Sequence, residues 1–278
     1  LISLILGLAL YTALFSSCVY EDLSKCSRMF MLQPRYLLHT GEGDRFGEAV
    51  HHIDVYAFDS LGIYRKMFRD KGAHLKNGYR MPIDLPEGKW TFLCLGGKVG
   101  DYEIGIFKTG ISQQFSPAVS PGITTLSDFR VKAYFEQKEN LEYSLGELFF
   151  GRLDSVEITA DNGGTGVVDL MKNTNKIEVR VKGIADGSSA RITSDNGRFN
   201  SENVTPADAG TIIYVPYYSA SQADDTRVFQ FDVLRLYTDG HLFLKLLNPD
   251  GTDVIPGFTK DLINAIMSSP AYHTQEDL

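Results

Sequence analysis

The chain has 278 residues, of which 43% are hydrophobic and 22% charged, a composition that supports a buried core and excludes wholesale disorder. That length allows two domains of ordinary size or one large β domain. The formal net charge is -8 and the charges alternate in sign without long runs, so no basic surface is available to neutralise a phosphate backbone, and nucleic acid is not an expected partner.

Leu1 to Phe15 carry no charge. A membrane-spanning helix needs roughly 20 apolar residues, whereas this run gives way to small residues and then to Glu21 and Asp22, so it fits the apolar region of an export signal. An initiating Met and a basic start are missing, and the sequence is read as beginning inside that signal, with 1–17 as its remainder. Phe15-Ser16-Ser17-Cys18 resembles the lipobox of bacterial lipoproteins, with Phe15 standing where Leu is usual. Small residues before a Cys admit the processing peptidase and the thiol carries the lipid, so Cys18 is the expected lipidation site and first mature residue. Each buried methylene contributes about 0.8 kcal/mol, so several acyl chains hold durably where one holds marginally. Cys26 and Cys94 leave two readings open: a disulfide in an oxidising compartment, or Cys94 as a small buried hydrophobe within Trp90-Thr91-Phe92-Leu93-Cys94.

Beyond Cys18, strands dominate. Ile53, Val55 and Ala57 alternate with Asp54, Tyr56 and Phe58, and the Asp59-Ser60-Leu61-Gly62 turn leads to Ile63–Phe68, which predicts a hairpin. Pro86-Glu87-Gly88 is turn chemistry before a strand over Lys89–Leu95 that ends at Gly96-Gly97. From Gly100 to Ser127, Pro117, Pro121 and several Ser and Thr predict an irregular excursion. Strand character resumes at Phe129–Phe135, Leu148–Gly151 and Val156–Thr159, followed by a turn at Asp161-Asn162-Gly163-Gly164 and a strand at Val167–Met171. Ile177, Val179 and Val181 then interleave with Lys176, Glu178, Arg180 and Lys182, a strand with one buried and one wet face. The polar Asn173-Thr174-Asn175 before it marks the expected junction of two domains, 18–172 and 173–278.

Thr211–Tyr218 reads as a strand interrupted by Pro216. Arg227–Tyr237 and Leu242–Leu247 flank Asp239-Gly240, which predicts a type I′ hairpin, and the slip in apolar phase at Leu234-Leu236 suggests a bulge. One helix is legible, capped by Thr259, with Leu262, Ile263, Ile266 and Met267 on one face and Pro270 as its stop. Many strands with one or two short helices predict an all-β chain of antiparallel β-sandwiches.

Catalytic and cofactor motifs are absent from the sequence: no Gly-x-Ser-x-Gly elbow, no His-Glu-x-x-His, no phosphate-cradling Gly-x-x-x-x-Gly-Lys. His51 and His52 are adjacent on a strand and point to opposite faces, which suits no shared metal. Asp250-Gly251-Thr252-Asp253 reads as a turn, lacking the further ligands of a calcium loop. No catalytic residue, metal or cofactor is expected, and the 14 Tyr and 17 Phe suit pleated cores.

The run Cys18-Val19-Tyr20-Glu21-Asp22-Leu23-Ser24-Lys25-Cys26 resembles the mature start of the fimbrial anchor lipoproteins of Bacteroidales. So do Ile53–Asp59, Leu85–Phe92 with its trailing Gly96-Gly97, Phe149-Phe150-Gly151 and Asn175–Val179. The resemblance covers nearly the whole chain and implies two tandem transthyretin-like β-sandwiches. It also implies a function: fastening the fimbrial shaft to the outer membrane through lipid and influencing fimbrial assembly and length, with a shaft subunit of the same system as partner. Glu21 and Asp22, so close to Cys18, resemble the signal that exports lipoproteins to the cell surface in this phylum. Family members usually continue past the helix with strands that complete the second sandwich; either this sequence is trimmed after Leu278 or its last domain has an open groove, and trimming is the preferred reading because an unpaired edge invites aggregation. A surface glycan-binding lipoprotein is the alternative and calls for two or three aromatics exposed on one surface. A secreted hydrolase needs paired carboxylates in one cleft.

Overall fold

The computed structural model of the chain describes residues 29–37, 43–108, 114–133, 140–141, 144–159, 163–222, 224–257 and 260–269. The signal remnant, Cys18, Glu21, Asp22 and Cys26 lie outside them, as do Asp161, Asn162, Thr259 and Pro270.

The first half runs β1 (Phe30–Tyr36), α1 (Phe46–Ala49), β2 (His52–Phe58), β3 (Tyr64–Lys71), β4 (Met81–Ile83), β5 (Gly88–Gly97), β6 (Tyr102–Lys108) and β7 (Gln114–Ser116). It continues through β8 (Phe129–Ala133), β9 (Asn140–Leu141), β10 (Leu148–Ile158) and β11 (Thr165–Lys172). The second half holds β12 (Thr174–Lys182), β13 (Ser189–Ser194), β14 (Arg198–Asn200), β15 (Ile212–Tyr214) and β16 (Tyr218–Ser221). Then come β17 (Thr226–Leu234), β18 (Leu242–Leu247), β19 (Lys260–Asp261) and α2 (Ile263–Met267). Among the described residues the chain is all-β with two short α-helices, as its patterning predicts.

Seven strands form one sheet in the order β3-β2-β5-β10-β11-β1-β4. Its pairings are antiparallel except β1 with β11, which is parallel. Only Phe149 and Phe150 join β10 to β11, and there the sheet folds over on itself. Phe30 on β1 therefore stacks on Phe92 of β5 at 5.9 Å, and Tyr36 meets the edge of Phe149 at 4.7 Å. Inside the fold lies a core of Phe30, Leu32, Ile53, Val55, Trp90, Phe92, Cys94, Val168 and Leu170. The other face of β2, β5 and β10 carries Tyr56, Phe58, Leu93, Leu95, Leu148 and Phe150 into a second core. Phe129, Val131 and Ala133 of a four-stranded sheet, β14-β8-β6-β7, pack into it from the opposite side.

A three-stranded sheet, β12-β17-β16, and a five-stranded sheet, β19-β18-β13-β15-β9, make up the rest. Ile177, Phe229, Phe231 and Val233 of the smaller sheet join the same core as Ala190, Ile192, Ile212 and Leu242 of the larger. The chain passes from β11 to β12 at Asn173, which is fully buried and exchanges side-chain hydrogen bonds with Asn203, the return bond being 3.0 Å. Two short strands cross this point: β14 pairs with β8, and β9 with β15.

The structure revises several expectations. Asp239-Gly240 closes no hairpin, because β17 pairs with β12 and β16 whereas β18 pairs with β13 and β19. Neither residue has the positive φ a type I′ turn requires. The segment instead carries the chain between sheets, since both flanking strands are buried and each needs its own facing layer. The suggested bulge is absent: β12 and β17 pair in unbroken register from Thr174–Leu234 to Lys182–Thr226, and the phase slips where β17 ends. A true bulge lies at Ser155 (φ 55°), between Leu153 and Val156, so the two strands expected over 148–159 are one. The Gly100–Ser127 segment contains β6 and β7. Gly105 obscures the β6 pattern and is required there, since a Cβ on it would lie 2.1 Å from the Ser116 carbonyl oxygen. Pro216 divides Thr211–Tyr218 into β15 and β16, which belong to different sheets. At α2 the carboxylate of Asp261 accepts the Ile263 N–H at 3.0 Å.

Among the described residues one charge is fully enclosed. Asp54 on β2 accepts two hydrogen bonds from its cross-strand neighbour Arg69, at 2.6 and 2.7 Å, and lies 2.8 Å from His52 Nε2. Removing one partner of a buried pair costs about 3–5 kcal/mol. Arg69 is half exposed and His52 remains, so Arg69→Met is expected to lower unfolding free energy by about 2 kcal/mol, read from the denaturant midpoint. At α2, hydrogen bonds from Ile263, His241 and Leu242 outweigh burial and hold the Asp261 carboxyl below its ordinary value of 3.8. The same contact raises His241 above 6.5. The Asp261 contribution is present above 3.8 and lost as pH falls through the depressed value; the His241 contribution is present below 6.5 and lost as pH rises through the raised one. Amide protection at Ile263 is therefore expected to fall in acid below pH 3.8, and Asp261→Asn is expected to abolish that acid limb.

Candidate interaction surfaces

A β-protein without catalytic motifs meets partners through faces, clefts or edges. Most described edges are too short to pair extensively: β4, β7 and β14 have three residues each and β9 and β19 two. Pro82 at the centre of β4 also lacks a donor. At the start of β3, Tyr64 donates to Thr124 O and accepts from Gly122 N, both at 2.8 Å, so a loop covers it. The remaining outer edge of β3 carries Arg65, Lys66, Arg69 and Lys71.

β12 differs. It spans nine residues, pairs only with β17, and ends the three-stranded sheet among the described residues. Ile177 is buried and Val179 and Val181 pack partly against the core, while Lys176, Glu178, Arg180 and Lys182 are exposed. Glu178 accepts from Arg180 Nε at 2.6 Å and Gln230 Nε2 at 2.8 Å, and these hydrogen bonds hold its carboxyl below the usual range. Lys182 pairs with Asp224 at 2.9 Å. The sheet to which β12 belongs has three strands against five in the sheet facing it. Leu246, Leu262, Ile266 and Met267, from β18 and the α2 region, are only partly covered.

Of the residues expected to carry lipid, direct export or form a disulfide, Cys94 alone is described. It lies in β5, wholly buried against the inner core, and burial pushes its thiol well up. His51 is exposed and His52 turns to Asp54, so the two diverge as expected. Asp250 accepts the Thr252 N–H at 2.9 Å with Gly251 at φ 83°, a turn closed by Asn248 N–H to Thr252 O at 2.7 Å. No group of three or more His, Cys, Asp or Glu is placed to hold a metal ion among the described residues. No described helix is long and apolar enough to cross a membrane. Sequence reading found the alternation of β12 but not its position at a sheet edge, because strand order depends on partners remote in sequence.

Comparison with known proteins places this architecture. The chain is 24% identical over 283 residues to the minor fimbrium anchoring subunit Mfa2 of Porphyromonas gingivalis, covering 97% of this chain and 81% of that protein. The solved structure of the fimbrial anchor protein Mfa2 from Porphyromonas gingivalis superposes with a TM-score of 0.70 at 20% identity, over 90% of this chain and 88% of that one. A Bacteroides thetaiotaomicron protein whose description names polysaccharide binding superposes at 0.72 with 21% identity, over 90% and 88%. At these identities the superpositions establish the fold alone. The family model of fimbrillin-A-associated anchor proteins Mfa1 and Mfa2 matches residues 23–278, and the chain belongs to that family.

Proposed function

We propose that this protein is a lipid-anchored fimbrial subunit that fastens a fimbrial shaft to the outer membrane and influences its assembly and length. Family membership over residues 23–278 is the observation that carries this reading. Cys18 would bear the lipid, after the apolar Leu1–Phe15 run and the Ser16-Ser17 junction, and Glu21 and Asp22 would direct the protein to the cell surface. Cys26 would either stand free or pair with Cys94 after rearrangement of the core that encloses it. Two units would meet at Asn173, a division supported by the seven-stranded sheet lying wholly before it and the three-stranded sheet wholly after.

The shaft subunit would add an extended segment to the outer edge of β12. Backbone hydrogen bonds along nine residues supply affinity, and alternate side chains reach the partly covered Val179 and Val181. The glycan-binding alternative calls for several exposed aromatics on one surface. Tyr218 is the one well-exposed aromatic among the described residues, which favours the anchor reading.

Deleting the gene from its native cell is expected to shed fimbriae into the medium or change their length, with no change in growth on polysaccharides. Cys18→Ala is expected to reproduce the shedding and to abolish fatty-acid labelling; attached fimbriae of normal length in either strain would refute anchoring. Arg180→Cys on β12 is expected to crosslink to the shaft subunit in intact cells, while Lys66→Cys on β3 is not. Crosslinks from position 66 alone would move the contact to the other edge.

A further inference from the structure

A cleft of about 940 Å3 opens where α1, the ends of β3 and β5, the start of β12 and segment 144–147 meet. Three carboxylates line it, and each is already engaged. Glu48 accepts from Arg45 Nε at 2.6 Å, Asp101 accepts the Gly146 N–H at 2.8 Å, and Glu147 pairs with Lys172 at 3.1 Å. The cations are not matched in this way. The side chains of Lys71, Lys98 and Lys176 line the same cleft and form no ion pair or hydrogen bond with a described residue, and neither does that of His51. With Glu48 and Glu147 paired to Arg45 and Lys172 outside the lysine set, the three lysines face Asp101 as the one carboxylate of the lining without an ion-pair partner, an excess of positive charge in a chain of formal charge -8.

The wall is built to bring charge and backbone close together. Gly72, Gly97, Gly100 and Gly146 line the cleft and leave main chain bare of side chains. Gly146 is enforced by Lys98, since a Cβ on it would lie 2.2 Å from the Lys98 Cβ; the lysine stem lies directly over the glycine. Gly97 is enforced too, with φ 90° and a Cβ position 2.2 Å from Glu147 O. A concave wall of low polarisability focuses the field of the charges it carries, and compact ammonium groups suit a multiply charged anion approached from several sides.

We propose that this cleft binds a phosphate-bearing ligand, held by Lys71, Lys98 and Lys176, whether the phosphate is free or part of a lipid headgroup. The assignment does not depend on the anchor reading.

The test uses the purified full chain with two probes: sodium pyrophosphate, and phosphatidylcholine vesicles with and without phosphatidic acid. Saturable pyrophosphate binding that weakens with added salt is expected. The triple variant Lys71→Gln, Lys98→Gln, Lys176→Gln is expected to weaken it about tenfold or more, as the loss of several modest charge contacts does. Lys89→Gln, an exposed lysine outside the cleft, is expected to change nothing, and unchanged melting temperatures would show all variants folded. Binding to phosphatidate vesicles that pyrophosphate displaces and the triple variant loses would assign the phosphate to a lipid surface; pyrophosphate binding without vesicle binding would assign it to a soluble ligand. Absence of saturable binding to either probe, or equal binding by the triple variant and the native chain, would overturn the proposal.

Discussion

The architecture depends on three strands, β2, β5 and β10, being apolar on both faces. Successive side chains of a strand point to opposite sides, so Val55 and Ala57 enter one core while Tyr56 and Phe58 enter the other, and Phe92 and Cys94 are likewise opposed to Leu93 and Leu95. Fully burying a side chain of this size contributes roughly 1.5–3 kcal/mol, and that gain is realised on both faces only if the sheet is covered twice. The seven-stranded sheet meets half of this need by folding over at its two-residue β10–β11 joint; the four-stranded sheet meets the rest. The one charge in the doubly buried layer, Asp54, is kept by hydrogen bonds from Arg69 in the next strand and the His52 contact on its own.

The same requirement explains what the sequence discloses. Strands with one wet face announce themselves, as β12 does with Ile177, Val179 and Val181 set between charges. The β2–β3 hairpin is legible because a short turn sets its two strands side by side at once. Pairing order is not legible where a buried strand has several apolar candidates. β17 and β18 are close in sequence and joined by Asp239-Gly240, yet each pairs elsewhere, because facing layers bury more surface than a two-strand ribbon does. The parallel pairing of β1 with β11 joins Met31 to Thr165 and leaves no local signature. The cleft lysines are equally hidden: Lys71, Lys98 and Lys176 come from three separate segments, and only the fold brings them together.

Buried amides fix the sheets of the second half of the chain where apolar packing alone would permit sliding. Asn196 donates to Leu234 O and Arg235 O at 3.0 and 3.1 Å and accepts from Tyr214 Oη at 2.9 Å; Tyr214 in turn accepts the Leu234 N–H at 3.1 Å. This ties β15 to the end of β17 across the two facing sheets. Asn203, joined to Asn173, receives Tyr237 Oη at its carbonyl at 3.1 Å. An unsatisfied buried polar group costs about 1–3 kcal/mol, so each of these contacts specifies one register and penalises the rest. Pro216 and Asp239-Gly240, the points where the chain changes sheet, fall close in sequence to these anchors.

A nine-residue open edge is ordinarily a hazard, since it can pair with a second copy of itself. The charges of β12 weigh against that outcome. In an antiparallel self-pairing centred on Glu178, Glu178 faces Glu178 and Lys176 faces Arg180; centred on Arg180, Arg180 faces itself. Centred on Val179, Glu178 meets Arg180, but Lys176 meets Lys182 twice over. Like charges directly opposed are destabilising in a ladder, so each of these three registers carries repulsion, whereas one centred on Ile177 sets Lys176 against Glu178 and does not. A strand with acidic residues opposite Lys176, Arg180 and Lys182 and a neutral or basic residue opposite Glu178 would instead meet all four without conflict. The edge therefore discriminates against several self-pairings and accepts a different chain of complementary charge.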